Sequence, residues 1–193
     1  AEIWLPDVLG RFARSHPKVR VEVRIERNAE LVEQTLRGGL DLSLAWGDGE
    51  GSPHAERLAG MPVRWIGRPD WKGIEGLDGE PLPLVAFEQP CVGLAAGVAA
   101  LDAAGRPWRL AFTSPSLAGL WAAAEAGLGI TLRTGLGVPK ALAPLDLAAT
   151  GLPRLPATAL SLHRAEKEPA AAAARLGNIL RETISAHLDE VRI

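Results

Sequence analysis

A two-lobed α/β fold is what this sequence predicts, on three observations. Short apolar strands alternate with amphipathic helices along most of the chain, the pattern of a parallel or mixed sheet with helices on its faces. A stretch rich in Gly, Pro and acidic residues at 69–83 interrupts the alternation, as connections between lobes often do, and puts a lobe boundary near Gly67. A later strand at 157–163 that crosses back would let the last helix complete the first lobe. The expected lobes are therefore 1–67 with 162–193, and 68–161.

The elements follow in order. Leu5, Val8, Leu9 and Phe12 sit at helical spacing, and Ser15-His16-Pro17 ends that helix because the residue before proline is pushed out of the helical region. Val19, Val21, Val23 and Ile25 alternate with Arg20, Glu22 and Arg24, the period-two signal of a half-buried strand. Asn28 then reads as the N-cap of a helix running to Gly38-Gly39. Leu40 to Trp46 reads as a strand parallel to the previous one through a right-handed crossover. Residues 47–53 read as loop and 61–66 as a strand. Beyond the boundary come a strand at 82–87, a helix at 92–104, a strand at 108–112, a helix after Ser114 with Leu117, Leu120 and Trp121 on one face, and a strand at 129–132. Residues 135–156 are irregular. The last helix opens near Pro169 and carries Leu176, Ile179, Leu180, Ile184 and Leu188 as one stripe.

Bulk properties remove several function classes. With 193 residues, 47% hydrophobic and 23% charged, the chain has an ordinary globular balance and enough length to bury a core. A net charge of −2 and a pI near 6.1 give no electrostatic reason to hold nucleic acid. No apolar run approaches the roughly 18 to 20 residues of a membrane span, and the first 17 residues lack signal-peptide character, so no membrane contact is expected. The single Cys91 and the scattered His16, His54, His163 and His187 suggest neither disulfide nor metal site, and a reducing cytoplasm fits best. No cofactor is implied.

Chemistry is expected at the C-terminal ends of parallel strands, where helix starts offer unpaired N–H groups. Three turns qualify: 26–29 with Asn28, 87–91 with Glu88 and Gln89, and 113–116 with Thr113, Ser114 and Ser116. Their short polar side chains suit a small polar ligand, but Asn28, Ser114 and Ser116 are equally ordinary helix caps. Trp46 is either an aromatic wall of a cleft or a core residue, and Arg133, just after a strand, either forks a carboxylate or lies at the surface. Catalytic motifs are absent: no nucleophile elbow, phosphate loop, C-x-x-C or H-E-x-x-H occurs. Gly127-Leu128-Gly129 lies between a helix and a strand, the wrong order for a dinucleotide turn. Cys91 reads as packing rather than as a nucleophile.

The run Leu5-Pro6-Asp7-Val8-Leu9-Gly10-Arg11-Phe12, then His16-Pro17 and the alternation to Ile25, resembles the opening of a LysR-type effector-binding domain. Leu36-Arg37-Gly38-Gly39-Leu40-Asp41-Leu42, Thr113-Ser114-Pro115-Ser116-Leu117 and Ala126-Gly127-Leu128-Gly129-Ile130 continue the resemblance in the family's order over nearly the whole chain. Trp65-Ile66-Gly67, Glu88-Gln89-Pro90-Cys91 and Gly105-Arg106-Pro107-Trp108 are most similar to its LrhA-like branch. The resemblance implies a periplasmic-binding-protein-like fold of type 2, two α/β lobes joined by two crossing strands, with a small-molecule effector held between them. It implies effector contacts at Asn28, Trp46, Glu88, Gln89, Thr113, Ser114 and Ser116. It also implies a homodimer or homotetramer, with Trp4, Leu5, Val8 and Phe12 turned toward a partner chain.

Two departures stand beside it. The family's DNA-reading winged helix-turn-helix is not among these residues, so contact with DNA would run only through a missing N-terminal segment. The family's first strand would precede Ala1, which makes the chain a trimmed piece, unless Glu190-Val191-Arg192-Ile193 fills part of the gap. The expected function is effector binding and dimerisation for a transcriptional regulator, without enzyme activity. A transporter's solute-binding protein shares the expected fold, and an enzyme using Glu88 or Cys91 is the further rival.

Overall fold

The computed structural model describes residues 4–88 and 91–191. They form two units, one reaching Met61 and resuming at Thr158, the other spanning Pro62–Ala157. The division thus falls before the expected boundary at Gly67, and the return falls at 158 rather than 162. The reason is pairing: residues 63–67 hydrogen-bond to strands of the second unit, so their backbone belongs to that sheet.

In the first unit, α1 (Leu5–Ser15) carries Pro6 in its first turn, where the missing N–H is no loss. Its apolar stripe packs on α6 (Ala171–Val191). Trp4, Val8 and Phe12 are buried there with Ile179 and Ile184, and Leu5 is half-buried. Within the chain, α6 presents a matching stripe that takes Trp4, Val8 and Phe12 out of water, while Leu5 keeps part of its surface exposed. A polar seam fixes the register. Arg11 Nη1 donates to Thr183 Oγ1 at 3.0 Å, Thr183 donates to Asp7 Oδ2 at 3.1 Å, and Arg11 also pairs with Glu182.

The sheet of this unit has the order β1-β8-β2, all antiparallel, from β1 (Leu42–Trp46), β2 (Ala55–Met61) and β8 (Thr158–Arg164). Glu56 of β2 receives Arg181 of α6 in a two-bond fork at 2.7 and 2.8 Å and also pairs with Arg164 of β8. The Arg181 hydrogen bond, ahead of the other Arg181 and Arg164 contributions, holds the Glu56 carboxyl below its ordinary pKa. Residues 19–27, expected to open with a strand, join no ladder among the described residues. Val19, Val21, Val23 and Ile25 are exposed, and β1 pairs only with β8, so the parallel crossover is also corrected. A strand needs a neighbour to take its N–H and C=O groups, and alternation alone supplies none. Glu190 and Val191 belong to α6 rather than to a strand; Arg192 and Ile193 lie outside the described residues.

The second unit holds β4 (Leu82–Phe87) parallel to β5 (Trp108–Ser114), and β3 (Val63–Gly67) between β6 (Thr131–Thr134) and β7 (Ala143–Pro144), both antiparallel to it. A parallel bridge between Leu84 and Ile130 ties the two sheets together. Three helices belong here: α3 (Val92–Ala103), α4 (Leu117–Glu125) and the short α5 (Leu147–Thr150). Leu82, Leu84, Leu94, Leu101, Ile130 and Trp65 form the main core, and Trp65 Nε1 donates to the Pro153 carbonyl at 2.8 Å. The segment 69–83, expected as a connection between lobes, lies wholly in this unit and lays Trp71, Ile74 and Leu77 against that core.

Candidate functional site

Within the first unit, Asn28 and Trp46 come together, but through the backbone. Asn28 is the first residue of α2 (Asn28–Leu36), and the cap position is Arg27. Its amide turns away from the helix end: Nδ2 donates to the Trp46 carbonyl at 2.9 Å, and Oδ1 accepts from the Trp46 N–H at 3.3 Å. Both functions of the side chain are engaged, so Asn28 ties the start of α2 to the end of β1 and positions Trp46. The indole of Trp46 is half-buried at that strand end. Just beyond it, Ser161 Oγ donates to the Gly47 carbonyl at 2.7 Å and fixes the turn.

Within the second unit, the geometry gathers more of the expected residues. Phe87, the last residue of β4, is in register with Ser114, the last of β5. Because Leu84 faces Ile130 in parallel, Arg133, three residues on, is level with Phe87, and its guanidinium stands 4.6 Å from the centre of the Phe87 ring. The parallel pair β4 and β5 thus ends with Phe87 and Ser114 side by side, and Arg133 of β6 reaches the same end at the Phe87 ring. The Glu88 N–H donates to the Ser114 carbonyl at 3.3 Å, which brings Glu88, an exposed residue, to the same edge.

Ser114 Oγ accepts from the Ser116 N–H at 3.1 Å, and Ser116 is the N-cap of α4 without a side-chain bond of its own. The turn is held from behind by Gly119: a Cβ there would meet Ser114 Oγ at 2.5 Å, so only glycine lets α4 come this close. Thr113 and Ser116 are exposed. Gln89 lies outside the described residues. Arg133 is inside β6 rather than after a strand, and is half-buried rather than a surface side chain. Burial first, opposed by nearby Cys91, pulls its pKa below the ordinary value, yet the group stays a cation. Phe87 and Arg64, the cross-strand neighbour of Arg133, were not singled out from the sequence. The position of Phe87 at the end of a parallel strand was the signal that could have marked it.

A depression of about 320 Å³ lies at the other end of this sheet, lined by Arg68, Asp70, Lys72, Pro83, Gly129 and Ile130 among others. It is open, and Arg68 is already forked onto Asp70 at 2.9 and 2.7 Å, so it offers few convergent polar groups. Among the described residues, no group of three or more His, Cys, Asp or Glu could hold a metal, and no helix is long and apolar enough to cross a membrane.

Residues 1–185 match the family model of the LysR substrate binding domain. The chain is 32% identical over 164 residues to the HTH-type transcriptional regulator PecT of Dickeya dadantii (strain 3937), covering 85% of this chain and 50% of PecT. It is 31% identical over 184 residues to the HTH-type transcriptional regulator DgdR of Burkholderia cepacia, covering 95% of this chain and 61% of DgdR. Its fold overlays the regulatory domain of CcmR from Synechocystis PCC6803, solved in complex with 2-PG, with a TM-score of 0.74 at 16% identity, over 94% of this chain and 91% of that one. The chain thus spans half to three-fifths of the length of the two relatives.

Proposed function

We propose, from the premise that this chain belongs to the LysR substrate-binding-domain family, that it senses a small polar metabolite on behalf of a longer transcriptional regulator. Membership makes it an effector-binding regulatory domain, and the family is non-enzymatic. The observation that carries the choice of site is the strand edge of the second unit, where β4, β5 and β6 end together with Ser114, Phe87 and Arg133. Polar groups at the C-terminal ends of parallel strands, beside an aromatic ring, suit a small polar molecule. Effector contacts are assigned there to Glu88, Arg133 and the turn 113–116, in the first unit to Trp46 with Asn28 behind it, and by the family resemblance to Gln89.

The effector acts by differential affinity: it favours one conformation of the regulator and shifts the population toward it. Reading DNA is assigned to a part of the protein other than these residues, whose net charge of −2 gives no overall electrostatic attraction to phosphate. On this reading the regulator works in the cytoplasm as a homodimer or homotetramer. The wording at 65–67, 88–91 and 105–108 supports a place near the LrhA-like branch. That the relatives are transcriptional regulators favours this function over transporter solute capture on the same fold.

Thermal unfolding in the presence of candidate ligands tests the reading. Ligand at 100 times its Kd stabilises the folded state by about 2.7 kcal/mol, a rise in midpoint of about 5–11 °C for a chain of this size. At least one member of a panel of organic acids, amino acids and aromatic metabolites is expected to give such a rise. Flat midpoints across the panel count against a sensor.

A further inference from the structure

We infer that Arg133 is an anchor for an oxyanion, so that the molecule bound at the strand edge of the second unit is an organic acid, a carboxylate or a phosphate ester, rather than a neutral metabolite. The inference rests on the reading that this edge is the effector site, and it adds the chemical class of the ligand.

Arg133 is half-buried, yet among the described residues no carboxylate pairs with it and no hydrogen bond to it is found. Its direct partner across the ladder is another cation, Arg64, which also forms no ion pair among the described residues. Directly opposed residues of an antiparallel pair point to the same face, with Cβ atoms about 5 Å apart, and like charges placed so are unfavourable. The Arg133 guanidinium carbon stands over the Phe87 ring, a contact that uses none of its N–H donors in a hydrogen bond. A cation taken partly out of water without a counter-charge is costly to folding. Arg68, in the same unit, shows the ordinary solution, a fork onto its own neighbour Asp70. Among the described residues no acid pairs with Arg133, while the 113–116 turn closes the end of β5, across β4 from it, with Thr113 and Ser116 exposed. The planar fork of arginine matches two oxygens of a carboxylate or phosphate, and a ligand oxyanion completes the set.

Three probes separate the possibilities: inorganic phosphate, benzoate and benzamide, each titrated into the isotopically labelled chain at constant ionic strength. The readouts are the arginine Nε–Hε signals and the thermal midpoint. The signal identified as Arg133 by its loss in Arg133→Gln should move with phosphate or benzoate at tens of millimolar, and not with benzamide. A stronger response to phosphate points to a phosphate ester, a stronger response to benzoate to a carboxylic acid. Arg133→Gln should leave the ligand-free midpoint unchanged or raised, because an unpaired, partly desolvated charge is gone, and should abolish the rise caused by oxyanions. Arg133→Lys, which keeps the charge but not the fork, should bind the oxyanion about 10-fold more weakly. No movement of the Arg133 signal with either oxyanion in the unsubstituted chain overturns the inference, whatever the variants do. So does an oxyanion response that persists in Arg133→Gln. An effector that proves neutral and binds Arg133→Gln normally also overturns it while the sensor reading stands. A panel without any ligand, with Arg133 still answering phosphate, leaves the anion site standing and removes the sensor.

Discussion

Residues 158–164 and 19–25 of the first unit carry the same kind of local signal and end in different states. The first segment is β8, with a ladder on each side, and its interior residues Ala159 to His163 are all buried. The second joins no ladder among the described residues and is exposed, with Ile25 at 76% of its full accessibility. What holds it is local and lateral. The Val19 N–H donates to His16 at 3.0 Å, and Gln34 of α2 takes Arg24 at 2.9 Å and reaches Glu26 at 2.5 Å. Strand formation is a property of pairs: side chains favour a pleated surface only when a second strand offers the other half of the ladder.

That contrast can be broken most forcefully in β8. Leu162 is fully buried at the centre of the strand, opposite Leu44 and Glu56, and a Cβ added at Gly177 of α6 would meet its Cδ2 at 3.7 Å. Leu162→Ala should lower the stability of the chain by about 3 kcal/mol, through lost transfer energy and a cavity that two flanking strands prevent from collapsing. Denaturant unfolding checks it. A change below about 0.5 kcal/mol, the scale of a surface site, would mean that β8 is not the spine of its sheet.

A smaller effect sharpens the same point from the adjoining residue. His163 is 3% exposed, its Nδ1 has no partner among the described residues, and burial pushes its pKa below the ordinary 6.5. As the pH falls below 6.5 the unfolded chain takes up a proton that the folded chain resists. Stability is therefore full above that value and is lost progressively as the pH drops toward the lower folded-state pKa. Urea midpoints between pH 8 and pH 5 should fall more steeply in the unsubstituted chain than in His163→Gln. Parallel profiles would show that the ring reaches water.

How far such features are legible in sequence depends on whether their cause is local. The helices α1, α3, α4 and α6 were readable because their apolar stripes repeat along one element, and β4 and β5 because each is a short apolar run between turns. β2 was not, because Ala55-Glu56-Arg57-Leu58-Ala59-Gly60-Met61 has weak strand propensity and a register shift between Arg57 and Ala59 breaks its alternation. The stripe of α1 was visible, but its partner was not: burial of Trp4, Val8 and Phe12 is decided by α6, more than 150 residues later. The candidate site divides in the same way. The turn 113–116 announced itself by its own residues, as did Trp46 at a strand end. Phe87 and Arg133 meet only because the bridge between Leu84 and Ile130 sets the two sheets side by side, and Asn28 turns to β1 because the Trp46 backbone reaches it.

The smallest expected effect is the most searching for the opening contrast. Val23 is 46% exposed in the unpaired segment, with no ladder neighbour to lose. Val23→Thr keeps the branched shape and replaces a methyl by a hydroxyl, which costs little where water already touches the side chain. Stability should stay within about 0.5 kcal/mol of the parent, as at surface positions generally. Backbone amides of residues 19–25 should exchange with solvent near the rates of an open chain, while those of 158–164 are protected up to global unfolding. A loss above 1 kcal/mol, about twice that surface scale, together with protected amides at 19–25, would show that the segment finds a strand to pair with in solution. Its difference from β8 would then be one of partner rather than of pattern, since Val21 and Val23 already have the side-chain shape that a ladder favours.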